Sequence, residues 1–251
     1  MPPKSSPAQF KAAVMRTPPR CLPYSSETCM DVYDALKCID QKLEAPSERV
    51  RLLYSECDAR PGERNREYAC GWTREHVYPK SHGGLRVDVP GAGTDLHNLF
   101  AEDASVNSAR GDKDFSDRTH CPGIAEELWR AVQDATPSEE ADTEGGPRLL
   151  RARTCADFWE PPDACKGRVA RALMYMACQY SDDLGLRLVD RTTRYPEPCF
   201  GMLSAVLDWN AAFPPDAEER LRNDRVEQIQ GNRNPFIDDH TSADGIRFSA
   251  T

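Results

Sequence analysis

The sequence predicts an α+β fold that is mainly helical with a small β-hairpin. Apolar residues recur at helical spacing in several segments, most clearly over residues 163–180. Two short segments rich in β-favouring residues, 68–78 and 94–100, flank a loop with four glycines. The chain of 251 residues is long enough to bury a core, and we expect a single domain over residues 21–240.

The first elements along the chain are predicted to be a leader and a helix. Residues 1–20 contain several prolines and few apolar side chains, which indicates a flexible leader. A helix is expected to follow, with Ser26 or Thr28 as its N-cap. The apolar residues that define this helix by their spacing are Val32, Leu36, Ile39 and Leu43.

The predicted hairpin leads directly into a short helix. Its first strand covers residues 68–78 and stops at Pro79, which cannot donate a hydrogen bond to a sheet. Its second strand covers residues 94–100. Asp103 then begins a helix that ends near Gly111, because glycine is favoured just after the C-terminus of a helix.

The second half of the chain is predicted to be mainly helical. Residues 134–147 are acidic, with two prolines and two glycines, and indicate an exposed insertion. Three further helices are expected over residues 163–180, over about 200–212, and from Asp216 to Gly231. Residues 241–251 are expected to form a tail.

The composition excludes several classes of protein. The 32 Lys and Arg residues against 41 Asp and Glu residues give a net charge of −9. This balance argues against a protein that coats nucleic acid through its overall charge, but it does not exclude a local basic cleft. No apolar run approaches the ~20 residues that span a bilayer, and no long heptad or glycine repeat occurs. An integral membrane protein, a coiled coil and a collagen-like chain are therefore excluded.

Ten cysteines are scattered singly along the chain, and none forms a CxxC pair. Zinc-ribbon and thioredoxin-like spacings are therefore absent. The even count favours up to five disulfides in an oxidising compartment, and Cys155 with Cys165 is one candidate pair. The alternative is that the cysteines are ordinary buried thiols.

The cysteines favour a secreted or periplasmic location, although no signal peptide is visible. Residues 1–20 lack the apolar core of such a peptide. Either the signal has been removed, or export takes another route, or the thiols are reduced.

The residue types best suited to catalysis are concentrated in the predicted hairpin and the helix after it. His76 can accept a proton near neutral pH, because the pKa of an unperturbed imidazole is ~6.5. Glu75 and Asn107 offer hard oxygen ligands for one Mg²⁺, an ion that keeps several of its own waters. A phosphate could be held bidentately by Arg74, Arg86 or Arg110. This set suits hydrolysis of a phosphodiester, in which a water loses a proton, charge is offset and an alkoxide leaves.

The proximity of Glu75 and His76 raises a geometric difficulty. Neighbouring residues in a regular strand point to opposite faces, so the two side chains could not both reach one site. The cluster requires a strand end or a bulge at this point, which Pro79 makes plausible. In the helix that follows, Asp103, Asn107 and Arg110 share one face by their spacing.

Five segments of the chain resemble, in order, a known nuclease family. They are REHVYPKSHGG, TDLHNL, VNSARGDKDF, EPPDACKGRVARALMYMACQY and QGNRNPFID. Together they resemble the secreted bacterial endonuclease I family, whose members are His-Me finger (ββα-metal) nucleases. The resemblance covers about residues 65–240. It implies such a finger at about residues 68–114, within a fold rich in helices.

The resemblance implies a Mg²⁺-dependent endonuclease that cleaves DNA, and often RNA, without sequence specificity and leaves 5′-phosphate ends. His76 resembles the general base of the family, and Glu75 and Asn107 resemble its metal ligands. Mn²⁺ or Ca²⁺ could replace Mg²⁺ in binding. The transition-state arginine is assigned to Arg86, although the loop before the second strand varies in length within the family. Glu102 departs from the family pattern. It would place an acidic side chain near the site and so alter the affinity for metal or substrate.

Further residues are assigned to substrate binding, and several have a structural alternative. The set is Arg74, Asn98, Arg110, Lys113 and Arg233. Asn98 could instead shape a turn, the two basic residues of the helix could form a solvated face, and Arg233 could simply follow a glycine C-cap. Structural roles are expected for His82, His97 and His120.

The expected partner is DNA or RNA, which the chain would bind through its phosphates. The chain is expected to be a monomer and to have no membrane partner. Two alternatives belong to other classes: a nucleic-acid-binding module without catalysis, and a disulfide-rich extracellular interaction protein. If the enzyme interpretation holds, acidic residues should gather in places such as 134–147. Basic residues should gather around His76, namely Arg74, Lys80, Arg86, Arg110 and Lys113.

Overall fold

The computed structural model describes residues 3–41, 49–55, 58–59, 71–121, 123–132 and 152–248. The predicted acidic insertion at 134–147, and the cysteines Cys57 and Cys70, lie outside these residues. The described chain combines short strands with longer helices. The fold is therefore of mixed helix and sheet, as the α+β prediction requires.

The N-terminal region is helical over residues that were predicted to be flexible. Helix α1 (Pro7–Val14) begins after Ser6, which forms a capping box with Gln9. Phe10 of this helix stacks on Phe236, with ring centroids 5.2 Å apart. Part of the predicted leader is thus a packed helix. Its Phe10 side chain is held by Phe236, which lies near the other end of the chain.

Helix α2 (Val32–Ile39) confirms the helix predicted from apolar spacing, although its cap differs from the prediction. Its N-cap is Asp31, whose Oδ1 accepts a hydrogen bond from the backbone N of Asp34 at 3.0 Å. Ser26 supports this cap from outside, since its backbone N donates to Asp31 Oδ2 at 3.0 Å. Leu43, which was predicted to extend the apolar face, lies outside the described residues.

Two antiparallel strand pairs come next. The first joins β1 (Val50–Arg51) and β2 (Asp58–Ala59). The second is the predicted hairpin of β3 (Trp72–His76) and β4 (Leu99–Asp103), in which Glu75 pairs with Phe100.

Strand β4 starts later than predicted because the segment before it is built from turns. Ala92–Thr94 is a 3₁₀ turn. Asp95 Oδ1 then accepts a hydrogen bond from His97 N at 2.9 Å, and Asn98 Oδ1 accepts one from Tyr78 N at 2.7 Å. Side chains that hydrogen-bond to nearby backbone compete with strand pairing.

Helix α3 (Ala104–Arg110) follows the hairpin and confirms the predicted caps. The Asp103 carboxylate accepts hydrogen bonds from the backbone N of Ser105 and Val106. Gly111 closes the helix with φ +61°, a conformation that favours glycine.

A small four-stranded sheet and the C-terminal helices complete the fold. The sheet has the order β5-β8-β7-β6. Its strands are β5 (Asp114–Phe115), β6 (Arg130–Ala131), β7 (Arg153–Thr154) and β8 (Phe158–Glu160). The later elements are α4 (Asp163–Gln179), the parallel pair β9 (Arg187–Leu188) and β10 (Cys199–Phe200), α5 (Leu203–Ala212), α6 (Ala217–Gln230) and α7 (Pro235–Asp238). The three helices predicted in this half are therefore confirmed.

The hairpin lies between two apolar clusters. The larger one is built around α4, where Val169, Leu173 and Met176 have no exposed surface, and it reaches Val77, directly after β3. The smaller one packs α2 against the other side of the hairpin through Trp72 and neighbouring residues. Because both sides of the hairpin are packed, its strands form a rigid support for the side chains that they carry. None of the helices described is long and apolar enough to cross a membrane.

The C-terminal residues pack against the body instead of forming a free tail. A 3₁₀ segment, His240–Gly245, leads to Ile246 and Phe248, which are both buried. Ser5 N donates to the Gly245 carbonyl at 2.8 Å, which ties the two ends of the described chain together.

No disulfide joins any two of the eight cysteines that the structure describes. The proposed pair of Cys155 with Cys165 is wrong. Cys155 lies in a small buried cluster with Cys121 and Trp129, whereas Cys165 Sγ donates to the Leu53 carbonyl at 2.5 Å. The alternative of buried thiols therefore describes Cys121, Cys155, Cys178 and Cys199, whereas Cys29 and Cys38 are exposed.

Candidate active site

A cleft of about 590 Å³ lies between the end of β3, the turn after it and helix α3. Glu75, His76 and Asn107, which come from two elements, all line this cleft. Arg74, Arg110 and Tyr24 contribute to the same wall. The three residues predicted to carry the chemistry therefore meet at one place.

The geometric difficulty at Glu75 and His76 is resolved by a strand end. Regular pairing of β3 with β4 stops at His76, opposite Leu99. The chain then turns towards Pro79, which also lines the cleft. His76 is the last residue of β3, and it lines the cleft together with its neighbour Glu75.

Glu75 is a buried carboxyl group held from two sides. Its side chain is 1% exposed, Tyr54 Oη donates to its Oε1 at 2.9 Å, and Arg110 Nη1 lies 3.4 Å from the same oxygen. Burial raises the pKa of Glu75, while Arg110 and the Tyr54 hydroxyl act in the opposite direction. A cation placed in the cleft would further favour the ionised carboxylate.

His76 is held in one tautomer by a backbone carbonyl. Its Nε2–H donates to Gly93 O at 2.8 Å, so Nδ1 carries the lone pair of the neutral ring. Burial lowers the pKa of His76 to about 4, and the Gly93 carbonyl only partly opposes this effect. The imidazole is therefore neutral at neutral pH, and it is a weaker base than the unperturbed histidine assumed from the sequence.

Gly93 is required at this position by close packing. A Cβ added to it would lie 1.9 Å from the carbonyl oxygen of Arg86. Any larger residue would displace the carbonyl that orients His76.

Asn107 is oriented by the first strand of the hairpin. Its Nδ2 donates to the Arg74 carbonyl at 3.1 Å, and no residue in the described ranges donates to its Oδ1. Glu75 and Asn107 thus supply one carboxylate and one amide oxygen. Among the described residues there is no group of three or more His, Cys, Asp or Glu suited to a metal. A site with two protein oxygens fits Mg²⁺, which retains several waters.

The two arginines of the cleft wall are already engaged. Arg110 is 1% exposed and donates to the carbonyls of His76 and Val77, at 3.0 and 2.7 Å. The guanidinium of Arg74 lies 3.3 Å from the centroid of the Tyr24 ring and donates to the Tyr24 carbonyl. The main contact of Arg110 is thus with the backbone around the site, where it holds the turn and faces Glu75.

Four other residues predicted to bind substrate or act in catalysis do not line the cleft. Arg86 is exposed and pairs with Asp88, and Lys113 Nζ donates to the Ala109 carbonyl. Asn98 uses both ends of its amide on the backbone of Tyr78. Arg233 is held by three carboxylates, those of Asp224, Glu227 and Asp238. In this structure, each of these side chains is satisfied by a partner other than substrate.

The sequence of the chain also matches a known family. Residues 24–241 match the family described as Endonuclease I. This chain belongs to the endonuclease I family. The match starts and ends close to the domain predicted at 21–240.

Several curated proteins that are similar in sequence to this chain are named as nucleases. An extracellular ribonuclease of Bacillus amyloliquefaciens is 38% identical over 219 residues, which are 86% of this chain and 66% of that protein. An extracellular ribonuclease of Bacillus subtilis (strain 168) is 39% identical over 223 residues, 86% of this chain and 67% of that protein. An extracellular deoxyribonuclease of Aeromonas hydrophila is 30% identical over 149 residues, 57% of this chain and 48% of that protein. The chain thus spans about two thirds of the length of the Bacillus relatives.

Two further residues of this endonuclease I chain lie next to the site, and only Glu102 had been predicted to be near it. Tyr54 hydrogen-bonds Glu75 but comes from a segment with no recognisable motif. Glu102, the departure from the family pattern, is fully buried and accepts hydrogen bonds from Tyr54 N and Ser55 Oγ. Burial raises the pKa of Glu102 to about 8, against the effect of these hydrogen bonds. Glu102 thus contacts the backbone of Tyr54, the residue that hydrogen-bonds Glu75, and it does not line the cleft.

Asp95, in the turn before β4, is the centre of a buried polar network. Its Oδ2 accepts hydrogen bonds from the hydroxyls of Tyr175 and Tyr180, both at 2.8 Å. Its Oδ1 accepts one from Gln230 Nε2 at 2.9 Å. The network joins α4 and the end of α6 to the turn that carries Gly93, two residues away. Three of the segments that resemble the family are thus connected beneath the site.

Proposed function

We propose that this chain is a Mg²⁺-dependent endonuclease that hydrolyses phosphodiester bonds of DNA and RNA without sequence specificity, leaving 5′-phosphate ends. The observation that carries the proposal is the meeting of Glu75, His76 and Asn107 at one cleft. Membership of the endonuclease I family supports the reaction class. The relatives named as ribonucleases and deoxyribonucleases support both kinds of nucleic acid as substrates.

His76 acts as the general base in this mechanism. Its Nδ1 would accept the proton of a water molecule bound in the cleft, while its Nε2–H stays on the Gly93 carbonyl. Positioned proton transfer of this kind contributes about 10²–10⁴-fold to a rate. Because the ring is neutral before the reaction, it gains a charge only as the water attacks the phosphorus atom in line with the departing 3′-oxygen.

Glu75 and Asn107 would hold the metal ion through a carboxylate and an amide oxygen. When bound, Mg²⁺ would offset the negative charge that develops on the phosphate and the 3′-oxygen. Arg110 keeps the Glu75 side chain in place from the protein side. The hydrogen bond from Asn107 to the Arg74 carbonyl leaves the amide oxygen for the ion.

Recognition of nucleic acid would rest on charge and not on base edges. The cleft wall carries three basic residues, Arg74, Lys80 and Arg110, against the two acidic residues Glu75 and Asp112. This local excess contrasts with the net charge of −9 for the whole chain. Contacts to phosphates position a substrate without reading its sequence. Relatives named extracellular or periplasmic support a location outside the cytoplasm.

Cleavage of matched DNA and RNA substrates at varied Mg²⁺ concentration tests the proposal. Glu75→Gln and Asn107→Ala should each lower the rate by about 100-fold or more, since the metal contributes several kcal/mol to the barrier. Asn107→Ala should also raise the Mg²⁺ concentration needed for half-maximal rate. Asp183→Asn, which changes a carboxylate that is 71% exposed and paired with Lys11, is the matched control and should cleave normally.

Two outcomes would contradict this function. Full activity in excess EDTA would exclude the metal. Tight binding of nucleic acid without any cleavage in excess Mg²⁺ would favour the alternative of a binding module without catalysis.

A further inference from the structure

An aromatic residue from outside the finger forms part of the cleft wall. Tyr24 lies in the segment between α1 and α2, far from β3 in sequence, yet it lines the cleft together with Glu75, His76 and Asn107. Its side chain is only partly buried. None of the mechanistic steps above uses this ring.

The Tyr24 ring is held in place by Arg74. The guanidinium lies 3.3 Å from the centroid of Tyr24 and 4.0 Å from that of Tyr33. Arg74 Nη1 also donates to the Tyr24 carbonyl and to Ser25 Oγ, the latter at 3.1 Å. A cation over an aromatic ring, together with two hydrogen bonds to the same segment, fixes this part of the chain against the strand.

The ring also lies next to the proposed general base. The centroids of Tyr24 and His76 are 5.8 Å apart, and their planes are inclined by 32°. A phosphate that reacts beside His76 carries a base on each side, each one sugar away. The base of one flanking nucleotide therefore comes within reach of Tyr24.

We propose that Tyr24, backed by Arg74, is a stacking platform for an unpaired nucleobase next to the scissile phosphate, so that the chain prefers single-stranded nucleic acid. This inference rests on the proposed function. Stacking of bases on aromatic side chains tolerates any sequence, because every base has a π face. A base inside a duplex is already covered on both faces and would first have to leave its stack.

Equilibrium binding in EDTA tests the platform while any metal-dependent cleavage is suppressed. The ligands are a fluorescent single-stranded oligonucleotide, a fully abasic oligomer of the same length, and a duplex of the same sequence. Tyr24→Ala should weaken binding of the single strand by about tenfold. It should leave the abasic oligomer and the duplex within about twofold of wild type. Tyr24→Phe should bind like wild type, because it retains the ring.

Two further variants separate stacking from structure. Tyr24→Leu keeps an apolar side chain without a ring and should behave like Tyr24→Ala, so that a folding failure of one variant leaves the test intact. Tyr195→Ala removes a tyrosine that is 70% exposed and outside the cleft, and it should bind all three ligands normally.

The outcomes separate the platform from the proposed function. If Tyr24→Ala and Tyr24→Leu weaken the abasic oligomer as much as the single strand, or weaken neither, Tyr24 is not a stacking platform. If wild type shows the expected binding pattern but cleaves nothing in Mg²⁺, the nuclease function fails while the platform stands. If wild type cleaves, Tyr24→Ala should raise KM on single strands and leave kcat unchanged. A loss confined to kcat would overturn the platform.

Discussion

His76 and His97 have nearly the same local chemistry but lie in different surroundings. Each is buried, and each donates Nε2–H to a backbone carbonyl, that of Gly93 at 2.8 Å or that of Asn232 at 3.1 Å. Burial lowers the pKa of both to about 4. His76 lines the cleft beside Glu75. His97 instead packs on Tyr175, with ring centroids 4.6 Å apart, and its Nδ1 is buried without a hydrogen-bond partner in the part of the chain described.

The comparison shows that a shifted pKa does not by itself identify a catalytic histidine. Both rings are neutral at neutral pH and both are held by a carbonyl. His76 lines a cleft that water and a phosphate can enter, whereas the remaining nitrogen of His97 is buried. Access to the cleft therefore separates the candidate base from the structural histidine.

The largest expected effect is on catalysis, from His76→Ala. Loss of the general base should reduce kcat by about 10²–10⁴-fold. The midpoint of thermal unfolding should also fall, because the ring is buried and donates to the Gly93 carbonyl, so rates are compared at a temperature where the variant remains folded. Rates on one DNA and one RNA substrate, together with a melting curve, check both statements. Activity within a few-fold of wild type would remove His76 from the mechanism.

The next effect is on stability, from His97→Ala. This change leaves a cavity against Tyr175 and removes the donor to the Asn232 carbonyl, so we expect a loss of ~2–4 kcal/mol in the free energy of unfolding. Urea denaturation measures it. At a temperature where the variant remains folded, kcat should stay within about tenfold of wild type. A stable but inactive His97→Ala protein would reverse the assignment of the two residues.

The smallest expected effect concerns His120, a histidine whose pKa is raised and not lowered. His120 is bound by two carboxylates, Asp117 at 2.7 Å and Asp208 at 3.0 Å. Partial burial lowers the pKa of His120, but the hydrogen bonds and charges of these two residues raise it more, so the net pKa lies above the usual ~6.5.

The sign of the pH dependence follows from that raised pKa. The contribution of His120 to stability is fully present below ~6.5 and is lost as pH rises through the higher folded pKa. His120→Asn should therefore destabilise by at most about 1 kcal/mol near pH 5.5, since the pair is partly solvated, and by less near pH 8.5. Urea unfolding of both proteins at the two pH values measures the difference. A difference in the free energy of unfolding that grows with pH would contradict the raised pKa of His120.

Several elements were predictable because local residues define them. Asp103 and Gly111 bound α3, and Asp216 and Gly231 bound α6, where the Asp216 carboxylate accepts from Glu219 N and Gly231 has φ +88°. Caps satisfy backbone groups within a few residues, so their signal is present in the sequence. An interruption of the strand near His76 was also predicted, because two neighbouring side chains that share one site require a strand end or a bulge.

Other features depended on contacts between distant parts of the chain. The helix in the predicted leader is stabilised by Phe10 on Phe236, and β4 starts late because Asp95 is bound by residues from α4 and α6. Arg110 and Arg233 appear in sequence as similar basic residues near motifs. Only the structure shows that one holds backbone carbonyls at the cleft and the other is neutralised by three carboxylates.

The sequence by itself determined the mixed helical class, the order of most elements, the family resemblance and the three residues that meet at the cleft. It did so because periodicity, caps and motifs are local properties. The tertiary structure alone decided which histidine has an accessible nitrogen, which arginines are already engaged, and that Tyr24 borders the site. These are matters of burial and distance between segments far apart in the chain, and the sequence carries no local signal for them.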